Sequence, residues 1–361
     1  WEITQRDVPD LKIAYGLFYD NLSPTVFDLG QEHDNYYGPY RYYQADAGDL
    51  DYYLIFGPQI ADVAQKFSKL IGRPALPPRW SLGYLGSSML YTDAPNAQEE
   101  LKKFVQECQE YNIPCDMFHL SSGYGSGADG KRYVFNWNFE KIPDPRLMID
   151  TFHQAGMHVA ANIKPCMLDT HPLYAEVSRL GAFIKDSQSG QPYLDYFWDG
   201  YGSHLDFTNP AAYGWWRDNV REWLLEYGVD STWNDNNEYP IWDDEATCCG
   251  FGEEIKIKHI RPIQPYLMVR SSLEAQRGFD PHNRPFLLAR SAAPGRRPGG
   301  LLRPKQGAQH LLQLETQHQY PGEHGDAYAR RGNILDDANF FVMPGLDEIT
   351  QGFDRAVGYF C

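Results

Sequence analysis

The chain has 361 residues, of which 42% are apolar and 22% are charged, a composition typical of a globular protein. This length suits one large barrel with an accessory piece better than one small domain. The formal net charge of −16 argues against nucleic acid as a partner, because an acidic surface repels phosphate backbones. The sequence contains no apolar run of membrane-spanning length, so no membrane partner is expected.

Signals for metals, cofactors and targeting are also missing from the sequence. The six cysteines include no CxxC pair and the eleven histidines show no metal-ligand spacing, so we expect free thiols, no metal and no cofactor. Gly-rich phosphate loops, HExxH helices and GxSxG turns are absent as well. The first residues lack a targeting pattern and an initiator Met. The chain is therefore expected to start inside a larger protein, and its localisation stays open.

The first part of the chain is predicted to be antiparallel. Runs of apolar and aromatic residues at 11–19 and 52–57, separated by turn residues, indicate short strands. A helix is predicted at 60–71. We assign residues 1–71 to the C-terminal part of an N-terminal β-sandwich domain, and the Pro-rich residues 72–79 to a stiff linker.

After the linker, the pattern changes to alternating strands and helices. Strands are predicted at 80–86, 115–120, 158–163, 229–233 and 285–289, and helices at 96–111, 145–155, 173–180 and 210–227. This alternation implies a parallel sheet, and the number of units favours an α/β fold of the (β/α)8 TIM-barrel type over an open sheet. Residues 80–292 are assigned to the first part of this barrel, which is incomplete at its C-terminal end.

Four positions lie just after predicted strands, namely Ser121-Ser122, Lys164, Asp235 and Arg290. In (β/α)8 barrels the chemistry takes place at the C-terminal ends of the strands. We therefore expect these side chains to converge at the mouth of one pocket. A buried Lys164 would need a carboxylate or a ligand as its partner, whereas in a surface loop it would need neither.

Carboxylates near these strand ends are candidates for catalysis. Asp235 and Glu238 lie in a loop with several Asn residues. Glycoside hydrolysis requires a carboxylate at the anomeric carbon and a carboxylic acid for the leaving oxygen, but Asp and Asn are also common in solvated turns. Asp206 precedes Asn209 and Pro210, which are typical of a helix start, and it either belongs to that turn or faces the pocket.

Two tryptophans lie in predicted loops, Trp137 and Trp198. Sugar rings present C–H faces that stack on aromatic rings, so both indoles are candidates for substrate binding. Packing in the core or loop is an equally good interpretation of each. An acidic chain is compatible with a neutral partner such as an oligosaccharide or another glycoside.

Five motifs in a fixed order carry a resemblance to a known family. They are Gly72–Tyr84, Ile113-Pro114-Cys115-Asp116, Phe135-Asn136-Trp137-Asn138, Asp206-Phe207-Thr208-Asn209-Pro210 and Trp233-Asn234-Asp235-Asn236-Asn237-Glu238. On these motifs the chain resembles glycoside hydrolase family 31 over residues 1–290. This family comprises retaining α-glucosidases, α-xylosidases and related enzymes with a sandwich before the barrel.

The resemblance implies roles for individual residues. It implies that Asp235 is the nucleophile of a double displacement with retention, that Glu238 is its orienting neighbour, and that Arg290 contacts the sugar and the catalytic carboxylates. The further candidates for substrate binding are Trp137, Lys164, Trp198, Asp206, Trp233 and Asn237. The mechanism requires no metal and no organic cofactor.

The chain departs from the family pattern at the second barrel strand. The family's α-glucosidases carry an Asp-Ile-Asp-Tyr run there, and by resemblance the later Asp binds the far hydroxyls of glucose. The aligned run here is Ser121-Ser122-Gly123-Tyr124, so this carboxylate is missing. Our hypothesis is a galacto-configured sugar, including an α-N-acetylgalactosaminide.

A second departure follows Arg290. The family's acid/base Asp, in a Trp-Ser-Gly-Asp-Asn run, is expected after the Arg-Ser pair, and it is not found in residues 293–361. A disordered Pro/Gly/Arg loop is one interpretation of this segment. The other, which we favour, is that it is an out-of-frame remainder of the barrel.

The predicted function is hydrolysis of terminal, non-reducing α-linked sugars with retention of configuration. Two alternatives remain open. A transglycosylase would form the same covalent intermediate and resolve it with a sugar hydroxyl. An inactive carbohydrate-binding pseudoenzyme is favoured by the missing general acid and disfavoured by the intact motif around Asp235.

Overall fold

The computed structural model describes residues 2–4, 13–31, 33–34, 36, 38–72 and 76–291. The strands of these residues, numbered in chain order, are β1 (Glu2–Thr4), β2 (Ile13–Tyr19), β3 (Thr25–Asp28), β4 (His33–Asp34), β5 (Gly38–Pro39), β6 (Tyr42–Ala45), β7 (Tyr52–Phe56), β8 (Leu85–Ser87), β9 (Met117–Leu120), β10 (His158–Ile163), β11 (Cys166–Leu168), β12 (Asp195–Tyr196), β13 (Tyr201–His204), β14 (Ser231–Asn234), β15 (Thr247–Cys248), β16 (Ile255–Lys256) and β17 (Leu287–Ala289). The α-helices are α1 (Ile60–Ile71), α2 (Met89–Asp93), α3 (Ala97–Glu110), α4 (Pro145–Gln154), α5 (Tyr174–Arg179), α6 (Pro210–Trp223), α7 (Ile257–Ile260) and α8 (Ile263–Phe279).

The strands before α1 are antiparallel, as their sequence pattern predicts. β1, β2 and β7 form a three-stranded sheet, while β3 pairs with β6 and β4 with β5. Helix α1 covers the larger sheet by packing Val63 against Ala14 and Ile55. A Cβ atom at Gly16 would lie 2.8 Å from Val63 Cγ1, so glycine lets the helix approach the strand. The assignment of residues 1–71 to a sandwich domain remains a prediction.

Five parallel strands form the main sheet in the order β8, β9, β10, β14, β17. This order follows the chain, with helices between consecutive strands, as in the first five units of a (β/α)8 barrel. The predicted strand bounds hold within a few residues for four of the five. The first strand was predicted at 80–86 and is shorter, because Arg79–Leu82 form a 3-10 turn.

Alternate residues of the barrel strands face opposite sides of the sheet. Met117 and Ala160 pack against Phe286 on the inner side, while Phe118 and Val159 join the large core beneath the helices. In β10 this period of two gives Asn162 the same side as Ala160. Lys164, two residues further on, continues the inner row at the end of the strand.

Several parts of the barrel were missing from the predicted elements, and two of them are helix α8 and an antiparallel sheet after β10. Helix α8 is buried on most of its surface and includes buried Ser271 and Ser272, so its apolar periodicity is weak. Ser272 Oγ accepts hydrogen bonds from Trp216 Nε1 at 2.9 Å and Asn234 Nδ2 at 3.0 Å, which ties α6 and α8 to β14. The second feature is the antiparallel sheet of β11, β13 and β12, which follows β10.

Several expectations concern features outside the barrel sheet. The hypothesis about residues 293–361 lies outside the described residues, as do Cys361 and residues 73–75 of the linker. The five described cysteines are free, and three of them are buried. Within the described ranges, no helix combines the length and apolar character needed to cross a bilayer, and no group of three His, Cys, Asp or Glu side chains is arranged to hold a metal.

Candidate active site

Three of the four predicted strand-end residues meet at the C-terminal edge of the sheet. Lys164, Asp235 and Arg290 each come directly after a strand, namely β10, β14 and β17. Lys164 Nζ lies 2.7 Å from Asp235 Oδ2, and Arg290 Nη1 lies 3.4 Å from Asp235 Oδ1. The fourth residue, Ser121, lies beside the end of β8, with its Oγ 3.4 Å from Ser87 Oγ.

The Asp235 carboxylate is held by hydrogen bonds as well as by charge. Asn162 Nδ2 donates to Asp235 Oδ2 at 2.9 Å, and the backbone N–H of Asn236 donates to Oδ1 at 2.9 Å. Lys164 Nζ also donates to Asn162 Oδ1 at 2.7 Å. Lys164, Asn162 and Asp235 therefore form a closed triangle that fixes the direction of the carboxylate.

The environment of Asp235 favours its ionised form. Burial alone would raise the pKa of this carboxyl, because only 8% of the residue is exposed. The charge of Lys164, the hydrogen bonds from Asn162 and Lys164, and the charge of Arg290 outweigh burial and lower the pKa to about 2. Asp235 is therefore an anion at neutral pH, as a nucleophile must be.

Glu238 is the second carboxyl of the cluster. Its Oε1 lies 2.8 Å from Arg290 Nε, so Arg290 bridges Glu238 and Asp235. Burial raises the pKa of Glu238 above its usual value, and the Arg290 charge opposes this shift without cancelling it. In the amide orientation that satisfies both neighbours, Asn236 donates to Asp235 Oδ2 at 3.1 Å and accepts from Arg290 Nη1 at 2.8 Å.

The loop that carries these carboxylates is strained and firmly held. Asn236 and Tyr239 adopt positive φ angles of 47° and 59°, which is uncommon for Asn and rare for a bulky residue. The buried Tyr239 hydroxyl donates to the Leu205 carbonyl at 2.9 Å. Asn237 bonds both backbone groups of Ser291, each at 3.0 Å. These contacts hold the loop after β14 against the end of β17, where Arg290 lies.

Two of the predicted substrate-binding tryptophans lie near this cluster. Trp198 is 37% exposed, and Lys164 Nζ lies 5.1 Å from the centroid of its ring, so the residue lies beside the charged groups and is partly open to solvent. Trp233, in β14, is half-buried, with its ring 6.0 Å from that of His119. A stacking role for either ring remains a prediction.

Two other predicted residues, Trp137 and Asp206, do not lie at the Asp235 cluster. Asn237 lies there, but it stabilises the loop rather than contacting the carboxylates. Trp137 is 2% exposed, and its Nε1 donates to the Trp223 carbonyl at 2.8 Å, so it packs in the core. Asp206 is also 2% exposed. It accepts hydrogen bonds from Gln264 Nε2 in α8 and from the Cys249 backbone N–H, so it links these two segments. Their positions give no support to sugar binding. The fully buried Asn237 acts through Ser291.

Two residues of the site were missing from the predicted set. Asn162 contacts Asp235 directly, and the strand period was the signal, because Asn162 and Lys164 share the inner side of β10. Tyr239 holds the loop through the hydrogen bond from its hydroxyl to the Leu205 carbonyl, and its backbone adopts a positive φ angle. Its positive φ has no signal in the sequence, since Gly or Asn is the usual residue at such a position.

Known proteins similar to this chain include carbohydrate-active enzymes. The chain is 27% identical over 295 residues to alpha-glucosidase 2 of Bacillus thermoamyloliquefaciens, covering 78% of this chain and 35% of that protein. It is 30% identical over 225 residues to the alpha-xylosidase XylQ of Lactiplantibacillus pentosus, covering 62% of this chain and 28% of that protein. The chain thus spans about a third of the length of these relatives.

Solved structures share the barrel. A GH31 dextranase of Flavobacterium johnsoniae, complexed with glucose, matches 77% of this chain and 33% of its own, with a TM-score of 0.67 and 24% identity. The glucosidase II alpha subunit matches 76% of this chain and 31% of its own, with a TM-score of 0.65 and 21% identity. These likenesses support the fold, a (β/α)8 barrel of which the described residues form the first part.

The comparison with family models covers most of the barrel. The model of the glycosyl hydrolases family 31 TIM-barrel domain matches residues 74–298. The match starts inside the predicted linker, includes all the residues of the cluster around Asp235, and spans more than half of the 361 residues. It confirms the resemblance inferred from the five motifs. The chain therefore belongs to glycosyl hydrolase family 31.

Proposed function

We propose that the protein hydrolyses α-glycosides with retention of configuration and that Asp235 is its nucleophile. The single observation that carries this proposal is the Asp235 carboxylate at the end of β14, ionised by Lys164 and Arg290 and oriented by Asn162. A buried anion at this edge of a barrel is suited to attack an electrophilic carbon. Its place in the family motif agrees with this role.

In the first step, a carboxylate oxygen of Asp235 forms a bond to the anomeric carbon while the bond from that carbon to the leaving oxygen breaks. A carboxylic acid donates its proton to the leaving oxygen. Water then attacks the anomeric carbon of the glycosyl ester, gives its proton to the same acid residue, now a carboxylate, and releases Asp235. Two inversions at one carbon give net retention.

Glu238 is not our candidate for the acid. It is bound to Arg290 and lies three residues after Asp235 on the same loop, whereas the acid must reach the leaving oxygen on the other face of the sugar. We assign Glu238 the role of holding Arg290 against Asp235. No residue of this chain is assigned as the acid, because the family's acid/base motif, expected after the Arg290-Ser291 pair, is not found in residues 293–361.

The sugar in the pocket is proposed to differ from plain glucose. Gly123 lies where an α-glucosidase of the family carries a sugar-binding Asp, so recognition of the far hydroxyls must use other groups. A galacto-configured sugar, such as an α-galactoside or an α-N-acetylgalactosaminide, is our first candidate. The names of the relatives, an alpha-glucosidase and an alpha-xylosidase, make the gluco and xylo configurations the ones to compare with it.

A panel of nitrophenyl α-glycosides tests the function and the sugar together. The α-glucoside, α-xyloside, α-galactoside and α-N-acetylgalactosaminide are compared on the wild type, Asp235→Asn and the control Asp218→Asn, which changes an exposed carboxylate of α6. We expect activity on a galacto-configured substrate and a loss of about 1,000-fold or more in kcat for Asp235→Asn only. Activity on the α-glucoside alone would reject the sugar assignment, and inactivity on all four would favour a pseudoenzyme.

A further inference from the structure

The space beside Gly123 is filled by the carboxylate of Asp93, which comes from the segment after β8 rather than from the segment after β9. A Cβ atom built on Gly123 would overlap Oδ1 of Asp93 and would lie 2.8 Å from the Thr92 carbonyl oxygen. Asp93 is the last residue of α2, the short helix after β8, whereas Gly123 follows β9. Glycine at position 123 is therefore required by the position of Asp93, since any side chain there would displace the Asp93 carboxylate.

Arg132 holds this carboxylate in place. Its Nη2 lies 3.3 and 3.2 Å from the two oxygens of Asp93, and its Nη1 lies 3.4 Å from Oδ1 of Asp199. The backbone N–H of Arg132 also donates to Asp199 Oδ2 at 2.8 Å. The planar guanidinium thus bridges two carboxylates, a task for which its forked donors are suited and a lysine is not.

The Asp93–Arg132–Asp199 cluster is connected to the nucleophile through a short chain of contacts. Asp199 is the neighbour of Trp198, whose ring lies 5.1 Å from Lys164 Nζ, and Lys164 is paired with Asp235. The side chain of Asp93 is 37% exposed. Among the described residues, Arg132 is the donor that reaches its oxygens, so they keep acceptor capacity for a ligand.

The geometry points to Asp93 as the carboxylate that accepts hydrogen bonds from the sugar hydroxyls remote from the anomeric carbon, with Arg132 as its positioning residue. This inference rests on the proposed function. A carboxylate that is already paired and oriented can accept from a sugar hydroxyl without new ordering of its side chain. Because Asp93 comes from the β8 end, it approaches the sugar from a different direction than a side chain at position 123 would.

A site that is built to bind a hydroxyl discriminates strongly against the analogue that lacks it, because its buried polar groups are then left unpaired. Binding of non-activated glycosides therefore tests the inference without any need for turnover. The probes are methyl α-D-glucopyranoside, methyl α-D-galactopyranoside and methyl 4,6-dideoxy-α-D-xylo-hexopyranoside, which is the 4,6-dideoxy analogue of both because they differ only at C4. Their Kd values are measured by calorimetry on the wild type, Asp93→Asn and the control Asp244→Asn.

The control is matched in chemistry. Asp244 Oδ1 lies 3.0 Å from Arg261 Nη2, so Asp244→Asn also neutralises an Asp paired with an Arg, but outside the Asp93–Arg132–Asp199 cluster. We expect Asp93→Asn to raise the Kd of the preferred hydroxylated glycoside by about 10- to 100-fold. The Kd of its dideoxy analogue should stay unchanged, and Asp244→Asn should change neither value.

Each other outcome overturns a defined part of the account. If the wild type binds a hydroxylated glycoside and Asp93→Asn binds it equally well, the role of Asp93 is refuted while the proposed function stands. If Asp93→Asn raises the Kd values of the hydroxylated and dideoxy glycosides by the same factor, the role of Asp93 is refuted as well. If the wild type binds none of the three probes, this inference fails, and the nitrophenyl glycoside panel decides the proposed function separately.

A second variant keeps the test valid if Asp93→Asn does not fold. Arg132→Lys keeps the positive charge but cannot bridge both carboxylates, and circular dichroism melting reports whether either variant is folded. We expect Arg132→Lys to raise the Kd of the hydroxylated glycoside and not that of the dideoxy glycoside, by a smaller factor than Asp93→Asn does. A purely structural role for Arg132 would lower the melting temperature and leave the ratio of the two Kd values unchanged.

Discussion

The ionisation of Asp235 depends on a balance between burial and charge. Taking a carboxylate out of water favours its protonated form, and two cations with one amide reverse that preference and bring the pKa to about 2. The largest of the lowering contributions comes from Lys164. In the proposed role as nucleophile, one carboxylate oxygen must stay free to attack, and the 3.4 Å distance from Arg290 leaves Oδ1 the less firmly bound oxygen.

Lys164→Met tests this balance. Removal of the ammonium should raise the pKa of Asp235, so we expect the acid limb of the kcat/KM profile to move to higher pH, because the proposed nucleophile is active only as the anion. At neutral pH we expect kcat/KM to fall by about 10- to 100-fold through loss of orientation. The measurement is the pH profile on the best glycoside of the panel.

Lys258→Met is the control for this change. Lys258 is also paired with a carboxylate, at 2.6 Å from Glu245 Oε1, but outside the Asp235 cluster. Its pH profile should match that of the wild type. An acid limb that stays in place in Lys164→Met would mean that Lys164 does not set the ionisation of Asp235.

At the scale of elements, the site depends on three strand ends being locked to one another. Asn237 joins the loop after β14 to the first residues after β17 through two hydrogen bonds with Ser291. Arg290 precedes Ser291 and carries the contacts with both carboxylates. The position of the guanidinium therefore depends on an amide that does not touch it.

Asn237→Ala should both destabilise the chain and reduce activity. It leaves the Ser291 N–H and C=O without these partners, which we expect to cost about 1–3 kcal/mol of unfolding free energy and to lower kcat/KM by about tenfold or more. Urea unfolding and steady-state kinetics measure the two effects. The control is Asn283→Ala, in an exposed turn with Asp280, and normal activity in a destabilised Asn237→Ala would contradict the coupling.

The sequence pattern predicts the elements that repeat and misses those that do not. Lys164, Asp235 and Arg290 could be predicted together, because parallel strands end at one edge of a barrel. Helix α8 was missed because its buried Ser271 and Ser272 weaken the apolar pattern. Trp137 and Asp206 were assigned to the substrate because a loop or helix-start position does not reveal burial. The carboxylate of Asp93 was missed because its partner, Arg132, is distant in sequence.

At the scale of the whole molecule, the two ends of the barrel have different tasks. The C-terminal end carries the Asp235 cluster, and the opposite end carries a cluster of Asp230 with two histidines. His153 Nε2 lies 2.8 Å from Asp230 Oδ2, and His158 Nδ1 lies 3.0 Å from Oδ1. Asp230 also accepts from the Val159 N–H at 2.8 Å. We expect this end to contribute stability rather than chemistry.

Asp230→Asn should lower stability in a pH-dependent way and leave kcat/KM within about twofold of the wild type, because catalysis belongs to the other face of the barrel. The hydrogen bond from His153 to Asp230 raises the pKa of His153, so that its stabilisation is fully present below the unfolded pKa and is lost as pH rises through the folded pKa. The variant should therefore lose more unfolding free energy at pH 6 than at pH 9 in urea titrations, with a cost at pH 6 of about 1–3 kcal/mol. An equal cost at both pH values would contradict the role of His153.

The identity of the nucleophile is the central claim, and mass spectrometry of a trapped intermediate tests it most directly. The wild type and Asp235→Asn are incubated with activated fluorosugars of the gluco and galacto series and digested. We predict that one series adds a single glycosyl group to the wild type, on the peptide that contains Trp233 to Glu238 and at Asp235, and that Asp235→Asn stays unlabelled. A label on any other carboxylate, or an unlabelled Asp235 with both series, would contradict the account.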